Sequence, residues 1–360
     1  MKKLLSVFVV LVLMLVALAG CSSGPTVAKV GLGHITSIAK STDLKVNEDG
    51  TVTPPTAQVD TVIALVAFDK DGKVVAATID TAQTKVNFDK DLQVTSDLTA
   101  EGKTKVELGD AYGMRKASSI GKEWYQQIAE FEKWMVGKTV QEIKSLKVKQ
   151  RDAAHPAVPD VPELTSLVTI TVQDYIAAVE EAYKNAVDVP KGVASLGLGH
   201  VISIDKSRGY SVKEDGTEVL PMAQVNTTMA GVAFDKNGKI VRALIDTAQT
   251  KVEYDKTGKV TSDKTVEPKT KKELGDAYGM GKVSSIKKEW YQQIGELEKW
   301  MTGKTVDEVK SMKVKQRDAA HPAVPDVPEL TSSVTITVQD YIKAVVEAGS
   351  NAKSVVPTKK

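Results

Sequence analysis

The stretch TVIALVAFDKDGKVVAATID, residues 61–80, reads as two apolar, β-branched runs joined by a turn. Val, Ile and Ala fill TVIALVAF and KVVAATID, and the intervening DKDGK supplies the Asp and Gly that a tight hairpin connection favours. A third strand is expected at TKVNFD (84–89). Beyond it the pattern turns helical. In IGKEWYQQIAEFEKWM (120–135), Ile120, Trp124, Ile128, Phe131 and Met135 share one helical face, and Gly137 ends the helix. TVQEIKSL (139–146) predicts a short helix. TVQDYIAAVEEAYKNA (171–186) predicts another, with Thr171 and Asp174 as its start signal. Strands first and helices after is the order of an α+β domain.

The hairpin occurs twice. VAFDKDGKVV (66–75) returns as VAFDKNGKIV (232–241), and GLGHITSI (31–38) as GLGHVISI (197–204), each 166 residues later. All four Trp and all four His fall into pairs at the same offset: Trp124 and Trp290, Trp134 and Trp300, His34 and His200, His155 and His321. So long a period is too large for a solenoid unit. It implies two tandem homologous domains, 27–187 and 193–349, each a small antiparallel sheet followed by helices. A short link carries Pro190 and Gly192, and residues 350–360 are expected to be a disordered tail.

One long segment is almost unchanged between the halves: KVKQRDAAHPAVPDVPELTS, at 147–166 and 313–332. Pro156, Pro159 and Pro162 exclude regular helix and central strand there. The segment therefore predicts an extended approach that brings Ser166 and Thr169 close to the start of the last helix. A helix start offers free backbone N–H groups and a positive dipole end, which suit a phosphate. The same hydroxyls also suit plain capping, and the spacing alone favours capping.

The ends and the charge narrow the setting. Lys2 and Lys3 precede the apolar run LLSVFVVLVLMLVALA, which is too short to span a membrane. LAGC (18–21) then resembles a bacterial lipobox, which implies a signal peptide over 1–20, cleavage before Cys21 and lipidation of that thiol. Cys21 is the single cysteine, so no intrachain disulfide forms. The chain has 48 Lys and Arg against 46 Asp and Glu; two of the lysines lie in the leader, so the remainder is formally neutral. A neutral, mixed surface carries no nucleic-acid footprint.

The end of each repeat resembles the FMN-binding domain of sodium-pumping quinone reductases, of related ferredoxin-linked complexes and of many bacterial lipoproteins. In that family an acidic residue, a hydroxyl residue, Gly-Ala and a final Ser or Thr precede a helix. ELTSLVTIT (163–171) and ELTSSVTIT (329–337) fall in that register. Glu163 and Glu329 stand for the family's Asp, and Leu167-Val168 and Ser333-Val334 for its Gly-Ala. The resemblance implies two FMN groups, each joined by a phosphoester to Thr169 or Thr335 by a dedicated FMN transferase. A register starting at Asp160 instead places the flavin on Ser166, and on Ser332 in the second repeat.

Over most of its length the chain resembles the flavinylated lipoproteins of Gram-positive extracellular electron transfer. That implies a lipid-anchored electron carrier on the outer face of the cell membrane, rather than an enzyme with its own substrate chemistry. Its partners would be a membrane quinone-linked dehydrogenase and acceptors such as ferric iron or soluble shuttles. A reading from another class is a non-redox ligand-binding or adhesion lipoprotein. In either case the signal peptide could release a peptide pheromone.

A flavin ring needs flat apolar walls and a few polar contacts. Tyr112 and Met114, with Tyr278 and Met280, are the expected walls, and EWYQQ adds Trp124, Tyr125, Trp290 and Tyr291. Trp124 and Trp134 lie at helical spacing, where a core role is favoured. His34 and His155 are expected to approach the ring or to bond backbone. No metal ligands are expected: there are two His per domain, no Cys in either domain, and no His spacing typical of zinc. Gly-rich phosphate loops and nucleophile elbows are absent from the sequence.

Overall fold

A computed structural model describes residues 26–355. Cys21 and its lipobox lie outside the described residues. The first repeat contains strands β1 (Lys29–Ser37), β2 (Thr56–Phe68) and β3 (Val74–Asn87), then helices α1 (Lys105–Leu108), α2 (Trp124–Met135), α3 (Val140–Lys144) and α4 (Gln173–Lys184), and closes with β4 (Val187–Asp188). The second has β5 (Val193–Ser203), β6 (Met222–Asp235), β7 (Ile240–Glu253), α5 (Lys271–Leu274), α6 (Met280–Val283), α7 (Trp290–Met301), α8 (Val306–Lys310), α9 (Gln339–Ser350) and β8 (Lys353–Ser354). Each repeat builds a four-stranded antiparallel sheet, ordered β3-β2-β1-β4 and β7-β6-β5-β8. The fold is thus α+β with two tandem regions, each a small antiparallel sheet with helices after it.

Strand β2 explains why its second half, residues 62–68, is apolar without a break. Val62, Ala64, Val66 and Phe68 face the helices, while Ile63, Leu65 and Ala67 face the other sheet. With both faces covered, no position needs a polar side chain. The two sheets pack face to face. Val30, Ile63 and Leu65 meet Leu196, Met229 and Leu244 in one shared cluster, and Val59, Val86 and Phe88 meet Ile202, Val225 and Tyr254 in another. Phe88 and its counterpart Tyr254 touch edge-on at 5.2 Å between ring centroids. Equivalent residues meet there because a pseudo-twofold axis relates the repeats. Helices cover the two outer faces, giving four layers.

GLGH is the hinge of this layering. Gly31 and Gly33 lie beneath α4, and a Cβ on either would collide with the backbone of Ala182 or Ala178. Glycine is required there for close approach rather than for its dihedral range.

Four local expectations change. The runs 73–80 and 84–89 are not separate strands, because β3 is continuous and paired with β2 from Val74 to Asn87. Its polar middle, Asp80-Thr81-Ala82-Gln83-Thr84, looks like a break but faces mostly buried surroundings. The proline segment is not extended throughout: after Pro162 the chain coils, with Val168 N–H donating to Leu164 O at 2.8 Å. Proline is compatible with the first turn of such a coil. Thr171 does not cap α4; the N-cap is Val172, whose N–H is held by Ala157 O at 3.1 Å. Lastly, the stretch 350–360 is structured as far as it is described. Ser350 closes α9, and Lys353 and Ser354 pair with Leu196 and Ser195.

Candidate functional site

The start of α2 gathers the conserved-offset segments into one place in each repeat. Three of its residues each secure a different element. Glu123, 2 % exposed, accepts from the N–H groups of Met114 and Arg115 at 2.8 and 2.9 Å, fixing the turn that carries Tyr112 and Met114. Trp124 donates from Nε1 to Tyr175 Oη of α4 at 2.8 Å. Gln127, fully buried, accepts through Oε1 from the Thr169 N–H at 2.8 Å and from its hydroxyl at 3.2 Å. The Gln127 amide nitrogen donates to Ser118 Oγ and to Lys122 O. Every polar atom of this buried side chain is therefore paired, and its oxygen places Thr169.

The long repeated segment secures Thr169 from the other side. Arg151 Nη1 donates to the Thr169 carbonyl at 2.9 Å. The same guanidinium pairs with Asp152, which also holds His155 Nδ1 at 2.7 Å. The His155 and Arg151 hydrogen bonds draw the Asp152 carboxyl down to about 2. Val168 is buried in the core and Leu167 packs against it. Leu167 and Val168 thus anchor the junction. Ser166 sits on the exposed side of the turn.

A cavity of about 430 Å³ opens beside this junction, walled by Tyr112, Met114, Trp124, Lys105, His155 and Thr171 among others. The structure brings together the expected walls Tyr112 and Met114 and the edge of Trp124. Tyr125 is not among them: its hydroxyl donates to Asp110 and its ring borders a different cavity. Trp124 is otherwise a core residue, 1 % exposed. Trp134 stacks on Phe131 at 5.7 Å, away from this cavity. Burial drives the Lys105 ammonium down to about 8, and its Nζ lies 5.0 Å from the Tyr112 ring centroid and 5.3 Å from that of Trp124. The Thr171 hydroxyl is buried with no hydrogen-bond partner. A polar atom left unpaired at a cavity wall is a place for a ligand group.

The second repeat reproduces these arrangements. Gln293 Oε1 takes the Thr335 N–H at 2.8 Å and hydroxyl at 3.2 Å, and Arg317 holds the Thr335 carbonyl at 2.9 Å. Glu289 binds the Met280 N–H, and Lys271 lies 5.2 Å from the Tyr278 ring. Lys271 is likewise lowered to about 8 by burial, and the Thr337 hydroxyl is unpaired. Ser332 is exposed like Ser166.

Sequence reasoning missed Lys105, Glu123 and Gln127. Nothing local separates them from ordinary surface positions of an amphipathic pattern. Their one trace in the sequence is that each recurs at the 166-residue offset. His34 and His200 do not line the Tyr112 cavity; each lies next to two glutamates that could hold a metal ion. The carboxylates come from distant segments, so no spacing rule could reveal them.

No family model matches the chain, and no solved structure matches it. A curated relative is the protein named chlorophenol reductase from Desulfitobacterium hafniense, 36% identical over 117 residues. The match covers 31% of this chain and 35% of that protein, so the chain spans about a third of its relative's length.

Proposed function

We propose that the chain is a two-centre redox carrier, with one FMN in each repeat esterified to Thr169 and to Thr335. The observation that carries this reading is the duplicated junction, where a threonine is clamped by a buried glutamine and an arginine; in the first repeat the next two residues, Ile170 and Thr171, line a cavity of suitable walls. The residues fit the group. A space of about 430 Å³ is within the usual range of small-molecule sites. Tyr112, Met114 and Trp124 offer flat or polarizable surface for a ring. The Thr171 hydroxyl has a hydrogen bond to give. Similarity to a protein named as a reductase supports redox work of this kind. Bound flavin would supply reversible electron transfer.

The protein's own part is to hold and bias that group. Gln127 accepts from the Thr169 hydroxyl before the ester forms, fixing its direction, and keeps the Thr169 N–H afterwards. Lys105 keeps its charge below a pH of about 8, so the cavity favours an electron-rich ring near neutrality. On this reading Cys21 carries a lipid that anchors the chain to the outer face of the membrane. A quinone-linked dehydrogenase then supplies electrons, and ferric iron or soluble shuttles accept them. Among the described residues no helix is long and apolar enough to cross a membrane.

Full-length chain co-expressed with a flavin transferase should fluoresce in a denaturing gel. Thr169→Ala and Thr335→Ala should each remove about half of that signal, and the double variant all of it. Ser166→Ala and Ser332→Ala should leave it unchanged. Loss in the serine variants instead would move the flavin to the register that starts at Asp160. A wild-type chain with no covalent flavin would defeat the reading.

A further inference from the structure

Along β1 the side chains alternate, so that Gly33 lies beneath α4 and His34 points into the space between the sheets. His34 is 3 % exposed, and neither of its ring nitrogens completes a hydrogen bond. Yet Nε2 lies 3.3 Å from Glu181 Oε1 and 3.2 Å from Glu273 Oε2. Glu181 belongs to α4 of the same repeat, whereas Glu273 belongs to α5 of the other. Both carboxylates are held in place by further bonds. Glu181 Oε2 accepts from the His34 N–H at 2.9 Å, and Glu273 Oε2 from the Thr270 N–H at 2.7 Å.

The pseudo-twofold axis repeats the cluster. His200, 4 % exposed, meets Glu347 of its own repeat through Nδ1 at 2.7 Å and Glu107 of the other repeat through Nε2 at 3.4 Å. Here Nε2 is the nitrogen without a hydrogen-bond partner. Glu347 Oε2 accepts from the His200 N–H at 3.0 Å and Glu107 Oε2 from the Thr104 N–H at 2.8 Å, as in the first cluster.

We propose that each cluster is a site for a divalent transition-metal ion, held by one histidine and one glutamate of one repeat and one glutamate of the other. The geometry suits this. Nitrogen and oxygen donors at about 2.1 Å from a tetrahedral ion are roughly 3.4 Å apart. The separations at His34 are 3.2 and 3.3 Å, with the ring nitrogen and the oxygens converging but not aligned as donor and acceptor. A neutral imidazole, two carboxylates and a dication sum to zero charge, which suits an interior place. Imidazole with carboxylates favours Zn²⁺ or Mn²⁺ over thiophilic ions. A cavity of about 370 Å³, bordered by His34, Glu273, Asp246 and Arg242, gives the first site an entry path and room for water to complete its coordination. In the second site Glu347 is already engaged with His200 Nδ1 at 2.7 Å, whereas Glu107 meets Nε2, so Glu347 gives up that contact to join the ion. The His34 site is therefore the tighter of the two.

The test uses the full chain made without flavin, stripped with EDTA and titrated separately with Zn²⁺ and Mn²⁺. Native mass spectrometry should show one Zn²⁺ bound per chain and then a second, and Co²⁺ should give visible absorption of a low-coordinate site. His34→Gln should weaken the first site at least tenfold, and His200→Gln the second. Glu273→Gln keeps an acceptor for the Thr270 N–H, so it leaves the fold in place, and should also weaken the first site at least tenfold. Zn²⁺ should raise the melting temperature of the wild type and not that of the folded double histidine variant. Equal stoichiometry and affinity in wild type and double variant would overturn the proposal, because only surface carboxylates would then be binding. So would a wild type that binds neither ion, or a Glu273→Gln variant that binds as the wild type does.

Discussion

Glu132 and Glu298 occupy equivalent places on α2 and α7, and each accepts a backbone N–H, from Ile79 at 2.7 Å and from Ile245 at 2.6 Å. Glu298 is paired with Lys272 at 2.7 Å, but the residue equivalent to Lys272 in the first repeat is the exposed Val106. Burial raises the Glu132 carboxyl to about 7, and the Lys353 charge offsets this only in part. In the unfolded chain the group ionises near 4.5, so between 4.5 and 7 the folded state holds the extra proton. Stability therefore falls as pH rises through that window, by up to about 3 kcal/mol if no other group compensates. Val106→Lys should supply the missing cation. Urea unfolding at pH 5 and pH 8 should show a marked loss for the wild type and a flatter response for the variant. At this scale the sequence was partly legible. Tyr112 and Met114, expected as ring walls from the sequence, do border the cavity. Thr171 was misread, since a Ser/Thr-x-x-Asp signal works only when the hydroxyl residue takes the N-cap. Here the Val172 N–H is drawn to Ala157 and the start moves by one residue.

The fit of α4 on β1 decides how each repeat closes. Gly31 and Gly33 put helix and strand backbones in direct contact, and the second repeat uses Gly197 and Gly199 against Ala348 and Ala344. Gly31→Ala requires the helix to lift, which also shifts Glu181 and Tyr175 on α4. Overpacking of this kind costs about 1–3 kcal/mol, occasionally more. Thermal unfolding should show a clear drop for Gly31→Ala and for Gly197→Ala, and no comparable drop for Gly295→Ala, whose added Cβ meets nothing within 4 Å. GLGH was visible in the sequence only as a landmark of the repeat. Its packing role could not be read, because the atoms it must avoid lie about 150 residues further on. The fusion of two expected strands into β3 has a similar cause. Thr81 and Thr84 are buried between layers that local periodicity cannot see.

At the scale of the whole molecule, the repeats are joined by apolar surface and by main-chain hydrogen bonds. Leu44 N–H donates to Gly258 O at 2.9 Å, Gly102 N–H to Ile202 O at 3.0 Å, and Tyr210 N–H to Leu92 O at 3.0 Å. Gly231 leaves room on β6 for Leu65 of the other sheet. A single repeat would expose the face built from Ile63, Leu65, Val59 and Phe88. A patch of that kind drives association. The segment 26–191 expressed alone should form a dimer or aggregate in sedimentation, whereas the full chain should unfold in one transition. Leu65→Asp in the full chain should lower stability in both repeats together. The duplication announced two domains with their own cores, and those cores exist. The shared core was not legible, because two faces that meet only through tertiary packing leave no periodic mark beyond the unbroken apolar run 62–68 within β2.

The account rests most on two equivalent hydroxyls carrying two equivalent flavins. Intact mass of the full chain, purified after co-expression with a flavin transferase, tests this directly. Two phosphoester-linked FMN additions are predicted, falling to one in Thr169→Ala and in Thr335→Ala and to none in the double variant. An unmodified wild-type mass, from cells in which the transferase flavinylates a known substrate, would contradict it.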